Sequence, residues 1–148
     1  MLTKNSVFYH YGASHLDKDK IFLLDRKDSK PRGGLWGSDK HQWEDWCKSE
    51  EFNVSHLKTH FKFKLEDSAR VLVISSDEDW KKLRQRFPEA TQELFDGYFV
   101  YDWKIIAKYF DALIVNMNRN ILSRDNGFDL FDVDSVCVFN KDVVKEVR

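Results

Sequence analysis

The stretch His60-Phe61-Lys62-Phe63-Lys64-Leu65, with Ala69-Arg70-Val71-Leu72-Val73-Ile74 and then residues 76–87 behind it, decides the fold class. Phe61, Phe63 and Leu65 alternate with His60, Lys62 and Lys64, the two-residue period of a half-buried strand. Residues 69–74 form a more continuous apolar strand. Residues 76–87 open with Ser-Asp-Glu and carry Trp80, Leu83 and Phe87 on one face, an amphipathic helix that Pro88 halts. Two strands in direct succession break the regular strand–helix alternation of a doubly wound parallel sheet, so the expectation is an α+β domain.

Upstream, residues 6–11 read as a first strand that stops at Gly12, and Ser14 as the cap of a brief helical turn. Residues 21–24 are an apolar run of strand length. The polar stretch RKDSKPRGG that follows must be a loop, because one Pro and two Gly deny it a helix. Residues 35–38 re-enter as a strand. Behind them Trp43, Trp46 and Cys47 fall at helical spacing, in a helix with Asp39 as N-cap whose rings are read as core. Downstream, residues 102–110 read as a helix, and residues 112–115 and 133–139 as strands separated by the polar loop NMNRNILSRDNG. The total is about five to seven short strands with two or three helices.

At 148 residues the chain is of ordinary size for one domain. Hydrophobic residues make up 42% and charged residues 33%, a balance that excludes a disordered tail or a membrane protein. Net charge is -1 and the basic residues are dispersed, so no overall field gathers nucleic acid or anionic lipid. No run approaches the roughly 20 apolar residues of a membrane span, and residues 1–12 do not have the pattern of a signal peptide. Cys47 and Cys137 lie far apart and read as reduced, which places the protein in the cytoplasm. The five His residues show no HExxH or similar spacing, so no metal site is expected.

Three stretches carry candidate chemistry. In Tyr9-His10-Tyr11-Gly12-Ala13-Ser14 a histidine sits at a strand end beside a glycine and a serine. In Lys30-Pro31-Arg32-Gly33-Gly34-Leu35-Trp36-Gly37-Ser38, two glycines permit close backbone approach, two cations suit a phosphate and an indole offers a stacking face. That combination suits a nucleotide, although neither GxxxxGK[ST] nor GxGxxG is present. In residues 129–139, Asp129, Asp132 and Asp134 stand directly before or within an apolar strand, where an unpaired carboxylate is costly, so one of them is expected to face a polar cleft.

In their order these stretches resemble the ADP-ribosyltransferases of the diphtheria-toxin and poly-ADP-ribose polymerase branch. YHYGAS looks like the early His motif, GGLWGS like the aromatic strand with Trp36 in place of the usual Tyr, and FDVDSVCVF like the late acidic strand with Asp in place of the usual Glu. The similarity to small bacterial and phage-type members spans roughly residues 7–144 and includes Tyr109-Phe110-Asp111. The resemblance implies a split mixed or antiparallel β-sheet core with peripheral helices. It implies NAD bound by His10, Tyr11, Gly12, Ser14, Lys30, Arg32, Gly34, Leu35, Trp36 and Ser38, with Asp134 or Asp132 as the catalytic acid beside His10. The implied partners are NAD and a macromolecular acceptor, protein or nucleic acid, and the implied activity is mono-ADP-ribosyl transfer. The alternatives are a non-catalytic binding module on the same fold, supported by the shorter Asp, or an NAD glycohydrolase.

Overall fold

The computed structural model describes residues 1–117, 131 and 133–148. Its strands are β1 (Phe8–Tyr11), β2 (Leu35–Ser38), β3 (His60–Leu65), β4 (Val71–Ile74), β5 (Thr91–Phe95), β6 (Tyr98–Tyr101), β7 (Ala112–Val115), β8 (Ser135–Val138) and β9 (Val144–Val147). The helices are α1 (Lys40–Glu50), α2 (Asp77–Arg86) and the single turn α3 (Trp103–Ile106). Seven strands form one sheet in the order β4-β7-β8-β2-β1-β3-β9, and β5 and β6 form a separate ribbon. Every pairing is antiparallel except β4 with β7. The chain is thus mixed α+β, with a mostly antiparallel sheet and few helices.

Burial explains the sheet's centre. β7 reads Ala-Leu-Ile-Val and is buried at all four positions, the continuous apolar signature of a strand covered on both faces. Ala112 and Ile114 join Phe8, Phe63, Val136 and Val138 on one face. Leu113 and Val115 join Trp80, Trp103 and Cys137 on the other. β3 keeps the expected alternation, with Phe61, Phe63 and Leu65 buried. Asp39 caps α1 by accepting from Gln42 N at 2.6 Å, and Ser76 caps α2 by accepting from Asp79 N at 3.2 Å.

Several elements differ from expectation. Residues 21–24 make no strand, only an isolated bridge between Leu23 and Gly33, because β2 beyond it already has β8 on one edge and β1 on the other. The helix expected over residues 102–110 is one α turn, since Asp111 N must turn back to Arg70 O, 2.7 Å away, to start β7. Asp17, not Ser14, caps the short helical turn Lys18–Lys20. The β5–β6 ribbon was not expected, although Asp96-Gly97 between apolar runs is a hairpin signal and Gly97 takes a φ of 76°. α1 buries only Cys47, so Trp43 and Trp46 are not core residues.

Asp111 fastens three elements together. Its Oδ2 accepts from Arg70 N at 2.8 Å, and its Oδ1 accepts from Arg70 Nη2 at 3.1 Å and from Asn140 Nδ2 at 3.0 Å. Burial raises its pKa, but the bonds from Arg70 and Asn140 outweigh burial and hold the carboxyl below its usual value. A lowered native pKa means the stabilisation is complete above about pH 4 and disappears as pH falls through that native value. Asp111→Ala is therefore expected to cost about 1–3 kcal/mol at neutral pH in urea unfolding. The gap to wild type should close as the medium is acidified below about pH 4.

Candidate functional site

The cleft begins where two neighbouring strands part. β1 and β2 share one register pair, Tyr9 with Ser38, whereas β2 and β8 share four. Beyond that pair the Trp36 carbonyl accepts from the His10 imidazole, Nδ1 to O 2.6 Å, so a side chain spans the gap that a backbone ladder would have closed. A carbonyl only accepts, which assigns the proton to Nδ1 and leaves Nε2 as the acceptor in the neutral ring.

The cavity here measures about 310 Å³, at the small end of ligand pockets. His10, Tyr11, Lys30, Trp36 and Ser38 line it, so five of the residues singled out from sequence converge. The Trp36 indole is set by a hydrogen bond from its Nε1 to Gly33 O at 3.0 Å and by Phe131, 6.1 Å away between ring centroids. Lys30 Nζ stands 5.7 Å from the Phe131 centroid. The Tyr11 hydroxyl donates to Glu44 Oε1 at 2.9 Å. Burial and then this bond to Glu44 push the phenol's pKa well above its usual value, so Tyr11 serves as a neutral donor and ring, not as a phenolate.

The remaining sequence candidates sit elsewhere. Asp134 does not line the cavity, although its neighbours Val133 and Ser135 do; it sits in the bend just before β8. Its Oδ1 accepts from Met117 N at 2.6 Å and its Oδ2 from Gln42 Nε2 at 3.1 Å, while its own N–H donates to Gln42 Oε1 at 3.1 Å. The carboxylate thus locks α1 to the ends of β7 and β8. Asp132 and Asp129 lie outside the described residues.

Arg32 pairs with Asp28 instead of facing the cavity, Nε to Oδ2 2.7 Å. The Asp28 carboxyl is raised by burial but lowered further by Arg32 and Ser29. Gly33 and Gly34 have φ of 89° and 74°, and a Cβ on Gly34 would meet Cys137 Sγ and Val138 O at 2.8 Å. The close approach these glycines permit is therefore to other segments of the same polypeptide, with Gly34 N bonded to Phe22 O at 2.7 Å. Leu35 is buried in the core. Gly12 and Ser14 lie exposed in the turn after β1 and do not line the cavity.

Sequence reasoning missed several lining residues. Tyr9 shares a face with Tyr11, and Ser135 faces Ser38 in register, both readable from the two-residue period once the strands are paired. Trp43, Asn53 and His56 come from α1 and the turn after it, and no local signal announces that the chain folds back onto the cleft. Among the described residues no group of three His, Cys, Asp or Glu is placed to hold a metal ion, and no helix is long and apolar enough to cross a membrane.

Comparison with protein-family models, with curated proteins and with solved structures found no match.

The bonding of Asp134 separates a structural from a purely catalytic carboxylate. Asp134→Ala should lower conformational stability by about 1–3 kcal/mol in denaturant unfolding, because two donors lose a charged partner. Ser135→Ala, on the cavity side, removes only the neutral hydrogen bond from its hydroxyl to Val133 O and should cost about 1 kcal/mol or less.

Proposed function

We propose that the cleft between β1 and β2 binds NAD and that the chain is a cytoplasmic protein of ADP-ribosyltransferase type, transferring ADP-ribose to a macromolecular acceptor. The observation that carries this reading is the meeting of His10, Tyr11, Lys30, Trp36 and Ser38, drawn from two distant sequence stretches, around one cavity. A half-buried indole held at its Nε1 by Gly33 O offers a preset face for the flat nicotinamide ring. The imidazole, its Nδ1–H used by the Trp36 carbonyl, leaves Nε2 to accept from a ribose hydroxyl. Lys30 supplies positive charge on the pyrophosphate side. The cavity is small, so part of the dinucleotide would extend along its rim.

Transfer requires the glycosidic C–N bond to break, nicotinamide leaving with the bonding pair, and the oxocarbenium-like ribose is stabilised by a carboxylate until the acceptor's nucleophile bonds to C1' and releases its proton to solvent. Because both Asp134 oxygens already accept hydrogen bonds, this role falls to Asp132. The engagement of Asp134 also favours a second reading, in which the same cleft holds NAD without transferring it.

Millimolar NAD is expected to raise the melting temperature of the wild type, and Trp36→Ala to weaken binding about tenfold or more in calorimetry. No stabilisation and no heat of binding would refute the reading. Incubated with NAD labelled in its adenylate portion and a cell lysate, the wild type should label a macromolecule. Asp132→Ala should lose at least about a hundredfold in transfer while still binding NAD. NAD binding with no label transferred selects the second reading, and free nicotinamide without labelled acceptor marks a glycohydrolase.

A further inference from the structure

α1 carries two indoles that the core does not use. Trp43 and Trp46 lie three residues apart on the helix, stacked with centroids 5.2 Å apart and planes 15° from parallel. Phe52 meets Trp46 edge-on at 5.4 Å. Only Cys47 of this helix is buried, and Phe52 remains 45% exposed. Leaving Phe52 exposed and both indoles only partly covered gives up some of the free energy that burying them fully would return. Such an arrangement is explained when one ring has a further face to offer, and Trp43 lines the same cavity as Trp36.

Beside Trp43 the chain supplies polar edges. α1 ends at Glu51 with φ 53°, and Asn53 follows with φ 48°, two non-glycine residues in the left-handed region within three positions. This reversal brings Asn53 and His56 back to the cavity. Asn53 starts the next turn through its backbone, its carbonyl accepting from His56 N at 2.9 Å, while its side chain makes no capping bond. A side-chain amide thus stands at the cavity with its donor and acceptor unengaged among the described residues. That paired donor and acceptor matches the N6/N7 edge of adenine, which an Asn side chain reads in bidentate fashion.

We propose that Trp43 and Asn53 form a purine subsite in this cleft, the indole stacking on the base and the amide reading its edge, with an adenine nucleotide as the ligand. The inference deepens the NAD reading and rests on it: Trp36 takes one ring of the dinucleotide and Trp43 the other. His56 closes the edge beside Asn53, near enough to Gly12 that a Cβ there would stand 3.4 Å from its Nδ1. Stacking is the larger contribution and the amide contact the selective one.

The test titrates AMP, UMP, nicotinamide mononucleotide and NAD into wild type, Trp43→Ala, Trp43→Phe and Asn53→Ala by calorimetry. AMP should bind the wild type more tightly than UMP, and Trp43→Ala should weaken AMP about tenfold or more. Trp43→Phe should restore most of that loss, Asn53→Ala should reduce the preference for AMP over UMP, and nicotinamide mononucleotide should bind all four proteins alike. Wild type that fails to bind AMP, or Trp43→Ala that binds it as tightly as wild type, overturns the subsite. If AMP binds through Trp43 while NAD does not bind, the purine subsite stands and the NAD reading falls. If NAD binds equally well to wild type and to Trp43→Ala, the reverse holds.

Discussion

The site depends on one hydrogen bond made where a sheet fails to close. β2 lies in the middle of a seven-stranded sheet, and a central strand normally satisfies its backbone along both edges. On the β8 side it does so over four register pairs, but on the β1 side pairing ends after Tyr9 and Ser38. The Trp36 carbonyl would be left without a donor there, and the His10 Nδ1 meets it at 2.6 Å. One imidazole thus satisfies the backbone, keeps the strands apart and takes its place on the cavity wall. The Trp36 side chain on the same residue supplies the ring.

Around that opening the rest of the molecule is held rigid by carboxylates that do not touch the cavity. Asp111 ties the start of β4 to the start of β7 and the end of β8 through Arg70 and Asn140. Asp134 ties α1 to β8 and to the end of β7 through Gln42 and the Met117 N–H. Asp28 holds Arg32 by its side chain, and its backbone bridges Tyr101 and accepts from Trp103 Nε1 at 3.0 Å. Charged groups in partly dry surroundings are costly unless fully bonded, and these three are bonded at several atoms each. Of the acids that stand out in the sequence as reactive candidates, Asp134 is the one the structure describes, and it is a fastener.

How much of this the sequence discloses follows from the range of the interactions. β2, β3, β7 and the caps of α1 and α2 rest on local periodicity and local hydrogen bonding, and their limits are legible to within a residue. The convergence of His10 with Trp36 was legible only as a resemblance of motif order, because their contact joins residues 26 positions apart. The glycine pair was visible but its reason was not, since the atoms it makes room for belong to Phe22, Cys137 and Val138. Trp43 was misread for a related cause: helical spacing places Trp43, Trp46 and Cys47 on one side, yet it does not say whether that side meets the core or a cleft. β9 is a short strand fixed by its pairing with β3, whereas the β5–β6 ribbon carried a local signal, Asp96-Gly97 before Tyr-Phe-Val-Tyr, that was passed over.

The most direct measurement uses the chain's five indoles as reporters, resolved by their Nε1–H signals in a heteronuclear NMR titration with NAD. Saturable shifts are expected at Trp36 and Trp43, which line the cleft, and none of comparable size at Trp80 and Trp103, which are buried in the core. Indole signals that stay in place up to millimolar NAD, or that move only at Trp80 and Trp103, would contradict the claim that this cleft is where the ligand binds.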